Sequence, residues 1–174
     1  MDFAFSEEQE MLRKSTREFL ARQCDSKVVR RLMESPDGYD PALWKKLVDM
    51  GWTALGIPEQ YGGVGTLLDL VVVFEEAGRA LLPGPFFATV ILGGLGVLEA
   101  GSPGQKKEWL PKIAGGAAKA TLALTEPSAR WDAAGVTVSV REDKGGFVLD
   151  GTKLFVPDAH TADVLVVAAR TASG

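Results

Sequence analysis

Two hydrophobic rhythms divide the chain. From residue 6 to about 117, apolar positions recur every three or four residues, the spacing of helices that bury one face. Ser6, with Gln9 three positions on, makes a capping box, and Leu12, Phe19 and Leu20 follow on one face. Asp40-Pro41 opens a second helix with a cap and a proline in its first turn; Leu43, Leu47 and Met50 form its stripe, and Gly51 ends it. Residues 67–82 are apolar nearly all round in their first half, which predicts a central helix, with Glu75-Glu76 on a solvated face. Pro83-Gly84-Pro85 breaks the chain before a buried helix over 86–100. Ser102 and Gln105 form another capping box, and Pro111 bends or ends the helix that follows. Trp44, Trp52 and Trp109 fall in this helical part and are expected in the core.

Beyond residue 119 the period becomes two. Residues 120–124 predict a short strand, and 135–141 alternate valine with Thr and Ser, as a half-buried strand does. A turn over 142–146 follows. Residues 147–149 and 153–156 flank Asp150-Gly151, a common hairpin pair, and 164–169 form a fully apolar strand. The expected fold is therefore α+β, with an all-α helical domain over 1–117 and an incomplete β domain over 118–174. An open sheet that stops there has exposed edges, so either a partner covers it or the chain is the N-terminal piece of a longer protein. The second reading is favoured here.

Composition narrows the classes. The chain has 174 residues and a net charge of -4, with 19 basic against 23 acidic side chains, which excludes the basic surface that nucleic acid needs. Residues 86–98 are the most apolar and are too short and glycine-rich to span a bilayer, and MDFAFSEEQE is no secretory leader. A cytoplasmic, soluble protein is expected. The lone Cys24 and lone His160 give no support to a zinc site or a Cys-His dyad. GIPEQYGGVG, at 56–65, lacks the spacing of a phosphate loop and does not follow a strand.

The remaining chemistry gathers at LALTEPSARWD, residues 122–132. Glu126 stands at a strand end before a proline, where it suits a hydrogen-bonding group that fixes the turn better than a site acid. Trp131 sits in a polar loop between Arg130 and Asp132; its indole suits a ligand-stacking wall or a plug under the loop. The residues alone point to a site at the strand ends near Thr125 and Phe155 and name no reaction.

The order of motifs adds more. FSEEQEMLRKSTREFL, W-x-x-L-x-x-M-G-W, IPEQYGGVG, F-E-E-A-G-R-A-L, GSPGQKKEWLPKIAGG, LALTEPSARWD and DGTKLFVPDAHTAD together resemble the acyl-CoA dehydrogenase family over the whole chain. The resemblance implies a helical N-terminal domain, a middle antiparallel β-barrel domain of which this chain holds part, and a C-terminal helical domain that lies beyond it. It implies FAD as cofactor, an acyl-CoA thioester as substrate, electron-transfer flavoprotein as acceptor, and a homo- or hetero-oligomer. The family's glutamate base lies in the C-terminal domain, so no catalytic residue is expected among these 174. Carried over position by position, Leu122, Leu124 and Thr125 lie along the flavin ring, with Thr125 as hydrogen bonder, and Phe155 and Val156 pass its N5 edge.

Two departures stand out. Pro157 replaces the family's Thr or Ser beside the ring, removing a hydroxyl and an amide hydrogen. Trp131 replaces a serine that touches the pantetheine arm of the substrate. They motivate a second reading, a non-catalytic or half-competent subunit of a heteromeric dehydrogenase. A plain helical interaction module is a third, with no specific feature behind it.

Overall fold

The computed structural model describes residues 4–171; residues 1–3 and 172–174, which hold the ends of the opening and closing stretches read above, lie outside the described residues. Helix α1 (Glu7–Gln23) starts as expected: the Ser6 hydroxyl accepts from the Gln9 amide at 3.2 Å while Gln9 Oε1 accepts from the Ser6 amide at 3.1 Å. Helix α2 (Ser26–Met33) is an addition to the sequence reading. Asp25 caps it by accepting from the Lys27 and Val28 amides, and it buries Val29 and Leu32. Helix α3 (Pro41–Asp49) is capped by Asp40, with the proline in its first turn.

Helix α4 (Leu67–Arg79) begins on a Thr66–Asp69 capping box. It stops short of the expected residue 82, where Leu81 takes a left-handed φ of 53° and the chain turns. The expected helix over 86–100 is wound as a π-helix from Ala88 to Leu95 and tightens into α5 (Gly96–Ala100). Helix α6 (Pro103–Ala114) keeps Pro111 inside it.

Two apolar clusters hold the chain. The first joins Leu20, Leu47, Trp52, Leu70, Val73, Phe86 and Val90, with Trp52 at 1 % exposure. Trp44 and Trp109 are half-buried against the clusters. The second joins Ile57, Val97, Leu110 and Ile113 to Ala118 and Ala120, with Val164 and Val166 packed on it, so helices and strands share a core. Glu76 corrects the sequence reading: it is 3 % exposed rather than solvated. Arg17 grips both of its oxygens at 2.9 and 2.6 Å, and Arg79 adds a contact of 2.7 Å, tying α1 to α4.

Strand β1 (Ala120–Ala123) pairs in parallel with β4 (Val164–Val167), Ala120 opposite Val164. Strands β2 (Ser139–Asp143) and β3 (Gly146–Asp150) form an antiparallel hairpin, and a single bridge from Ser139 to Arg170 links the two pairs. The antiparallel expectation therefore holds for the hairpin only, and no closed barrel forms among the described residues. The hairpin turns at Lys144-Gly145, both left-handed as a two-residue turn prefers. A second hairpin at Asp150-Gly151 does not form, because residues 153–156 are drawn instead to the end of β1.

The π-helix receives β1 directly. A Cβ on Gly93 would lie 2.3 Å from the Ala120 Cβ and 2.9 Å from the Thr121 nitrogen, so only glycine permits this approach. Thr89 supports the seat by accepting from the Ala120 amide at 3.4 Å.

Candidate functional site

The end of β1 runs through Leu124 and Thr125 into the turn at Glu126. Glu126 is 2 % exposed and resolves its two sequence readings in favour of the turn. Its carboxylate accepts from the Thr137 amide at 3.0 and 2.9 Å, the Val138 amide at 3.1 Å, the Thr137 hydroxyl and Lys153 Nζ at 2.6 Å. Lys153 first, then Thr137 and the Val138 amide, hold its pKa down at about 2 against the opposing effect of burial. An acid so stabilised as an anion is a poor proton donor near neutrality.

Lys153 is the residue that sequence reasoning missed. Its Nζ also donates to the Leu124 carbonyl at 3.1 Å. Beside it the Leu154 amide donates to the Thr125 carbonyl at 2.8 Å, and the Thr121 hydroxyl donates to the Pro157 carbonyl at 2.7 Å. The segment 153–157 is thus pinned at both ends to residues 121–126. No local spacing announces this, because the partners are far apart in sequence; the one hint is a lone cation before an apolar run, downstream of a carboxylate with no local partner.

Between the pins the backbone bows outward. Phe155 adopts a left-handed φ of 51° and its ring is 90 % exposed, while Val156 is half-buried and Pro157 exposed. Leu122, Leu124 and Thr125 are half-buried on the neighbouring strand end. Six of the sequence-predicted positions, Leu122, Leu124, Thr125, Phe155, Val156 and Pro157, therefore fall on two adjoining segments.

Trp131 projects from the loop after the turn and is 81 % exposed, so it does not plug the space beneath. Arg130 and Asp132 pair at 3.1 and 2.6 Å, and Asp132 also accepts from the Gly135 amide at 3.0 Å, which lowers the Asp132 pKa, the arginine contributing most. Arg170 donates to the Ala133 and Val136 carbonyls at 2.5 and 3.0 Å and supports the loop from β4's side. His160 meets the Asp37 carbonyl at 3.2 Å and faces the Asp158 carboxylate electrostatically, and no cluster of three or more metal-ligating groups occurs among the described residues.

A helical bundle whose last helices seat the start of a β domain, with an exposed wall at the strand ends, defines the class of this chain. Residues 6–117 match the family described as acyl-CoA dehydrogenase, N-terminal domain, and 121–174 match its middle domain. Acryloyl-CoA reductase (NADH) of Anaerotignum propionicum is 31% identical over 98% of this chain and 44% of its own length. The solved Tcur3481-Tcur3483 steroid ACAD is 34% identical, with a TM-score of 0.80 over 98% of this chain and 45% of that one. The ChsE4-ChsE5 complex of Mycobacterium tuberculosis gives 28% identity and a TM-score of 0.87 over 100% of this chain and 47% of that one. A Bacillus anthracis acyl-CoA dehydrogenase solved with FAD gives 30% and 0.84, over 96% of this chain and 30% of that one. The chain belongs to the acyl-CoA dehydrogenase family, a family of flavoprotein oxidoreductases, and spans less than half the length of these relatives.

The wall fits one side of a flavin. Half-buried leucines and the exposed Phe155 ring suit the apolar surface of a planar ring system, and Thr125 brings a hydroxyl beside them. The set forms an open face and not an enclosure.

Proposed function

We propose that this chain forms the helical domain and the start of the middle domain of an FAD-dependent acyl-CoA dehydrogenase, which oxidises an acyl-CoA thioester between its α and β carbons. The observation that supports the reading is the pinning of residues 153–157 against 121–126, the two segments that the resemblance assigns to the flavin. Bound FAD supplies the hydride acceptor. Leu122 and Leu124 would cover the ring, the Thr125 hydroxyl would hydrogen-bond its polar edge, and Phe155 with Val156 would keep water from the reacting edge. Pro157 packs there without offering a donor. Trp131 narrows or redirects the path of the pantetheine arm. The base that takes the α proton comes from outside these 174 residues, and the electrons pass on to electron-transfer flavoprotein. No helix of the described residues is long and apolar enough to cross a membrane, and the lone cysteine fits a reducing cytoplasm.

The test is to purify from its own host the full-length protein that carries this chain, record its visible spectrum and then add acyl-CoA thioesters without oxygen; the 174-residue chain alone is expected to be colourless or nearly so, and inactive. For the full-length protein, flavin absorption that bleaches on addition is the expected result; a colourless full-length protein refutes the reading.

A second reading is favoured by a specific observation. Two of the similar solved structures are named as pairs of chains, and Trp131 and Pro157 depart from the family at the substrate and flavin contacts. On this reading the chain is a non-catalytic or half-competent subunit beside a dehydrogenase partner. Co-purification of a second dehydrogenase-like chain supports it; a homo-oligomer that is itself reduced by acyl-CoA rejects it.

A further inference from the structure

We propose that Lys153 is a positioning residue for the flavin wall, acting through its paired grip on the Leu124 carbonyl and the Glu126 carboxylate. The inference rests on the flavoprotein reading above and adds a residue to it.

Lys153 is almost wholly enclosed, with side-chain exposure of 9 %, against 2 % for Glu126. A buried ammonium needs a charged partner and a full set of acceptors. Here the carboxylate at 2.6 Å supplies the charge and the Leu124 carbonyl at 3.1 Å a further acceptor. That second contact is unnecessary for neutralising the lysine, and its geometric effect is specific. It locks the backbone of the strand end, one residue before Thr125, to the backbone that leads into Phe155.

The Phe155 conformation explains why such a lock is required. A left-handed aromatic residue costs free energy and persists only where its surroundings overdetermine it. The ring itself contributes little restraint, being 90 % exposed. The restraint comes from the two flanks, the Lys153–Leu154 grip on residues 124–126 and the Thr121 hydroxyl on the Pro157 carbonyl. Glu126 in turn is fixed by Thr137 and Val138, so the lysine couples the flavin wall to the segment entering β2. Removing the lysine frees one flank, and the bow can relax away from Leu124 and Thr125.

The experiment uses the flavin-loaded protein made in its own host. Lys153→Met strands a buried carboxylate, so the double variant Lys153→Met/Glu126→Gln is compared with it; glutamine retains an acceptor for the Thr137 and Val138 amides. Lys153→Arg is the conservative control. Three quantities are read: FAD dissociation, the shape of the visible flavin band with its reduction potential, and the melting temperature. The double variant is expected to release FAD about tenfold more readily, the free-energy scale of one hydrogen bond to a charged group. Its flavin band and potential are expected to shift, and Lys153→Arg to recover most of both. A double variant that melts lower but keeps wild-type FAD affinity, band shape and potential makes the lysine a purely structural group and overturns the proposal. Wild-type protein without flavin overturns the flavoprotein reading itself, and this inference falls with it.

Discussion

Glu76 and Glu126 show how a single side chain ties distant stretches of chain together. Each is a nearly enclosed carboxylate, gripped by two arginines in one case and by a lysine and backbone amides in the other, and each has a pKa lowered from 4.5 to about 2. The folded protein holds these protons more weakly than the unfolded chain does, so acid favours unfolding. Their contribution is complete above about pH 4.5 and fades as the pH falls towards 2, which thermal melts across that range will show. Glu76→Gln should flatten part of that fall and cost about 1–3 kcal/mol at neutral pH, measured by urea unfolding, because Arg17 and Arg79 lose an anion but remain half-exposed and can rehydrate. Trp131 predicts the opposite combination. With 81 % of its surface in solvent, Trp131→Ser should alter stability by no more than about 0.5 kcal/mol, and under the proposed function it should lower the KM of the full-length protein for acyl-CoA by reopening the proposed pantetheine path.

Elements were legible in the sequence where their signals are local. The boxes at Ser6–Gln9 and Ser102–Gln105 and the cap at Asp40-Pro41 lie within four residues, and the structure begins helices at all three. Helix α2 gives a weak local signal because its apolar stripe, Val29 and Leu32, is brief and embedded among charges. Glu76 carries no local sign of its burial for a different reason: its partner Arg17 lies 59 positions away, beyond any helical period. The second hairpin failed likewise, since Asp150-Gly151 has suitable turn chemistry but Lys153 and Leu154 find better partners at the end of β1. At the candidate site, motif order pointed to the two segments, and tertiary pinning, invisible in either one, joins them. The π-helix and α5 offer a paired test at this scale. Gly93→Ala would drive a methyl group into Ala120 and should destabilise by about 1–3 kcal/mol or more, whereas at Gly96 the same change meets Val166 at an ordinary 3.7 Å and should stabilise by about 0.5–1 kcal/mol. Denaturant melts of the two variants, read side by side, check both signs.

For the molecule as a whole, exposed apolar surface is the main unfinished business. Leu67, Leu68 and Val71 line the outer side of α4, and Leu81 and Phe87 stand exposed near its far end beside an apolar cleft of about 490 Å³. Such surface on an isolated chain favours association. The 174-residue chain alone should therefore self-associate with rising concentration in sedimentation, and Leu68→Glu with Val71→Glu should suppress it. The contact between the π-helix and β1 has a further consequence, for the order of events during synthesis. Residues of both parts fill one core, so the junction near 115–119 offers denaturant no soft joint. A chain emerging helices first has a groove at Gly93 waiting when Ala120 leaves the ribosome, and the first strand is thereby captured before its partner, β4, has been made.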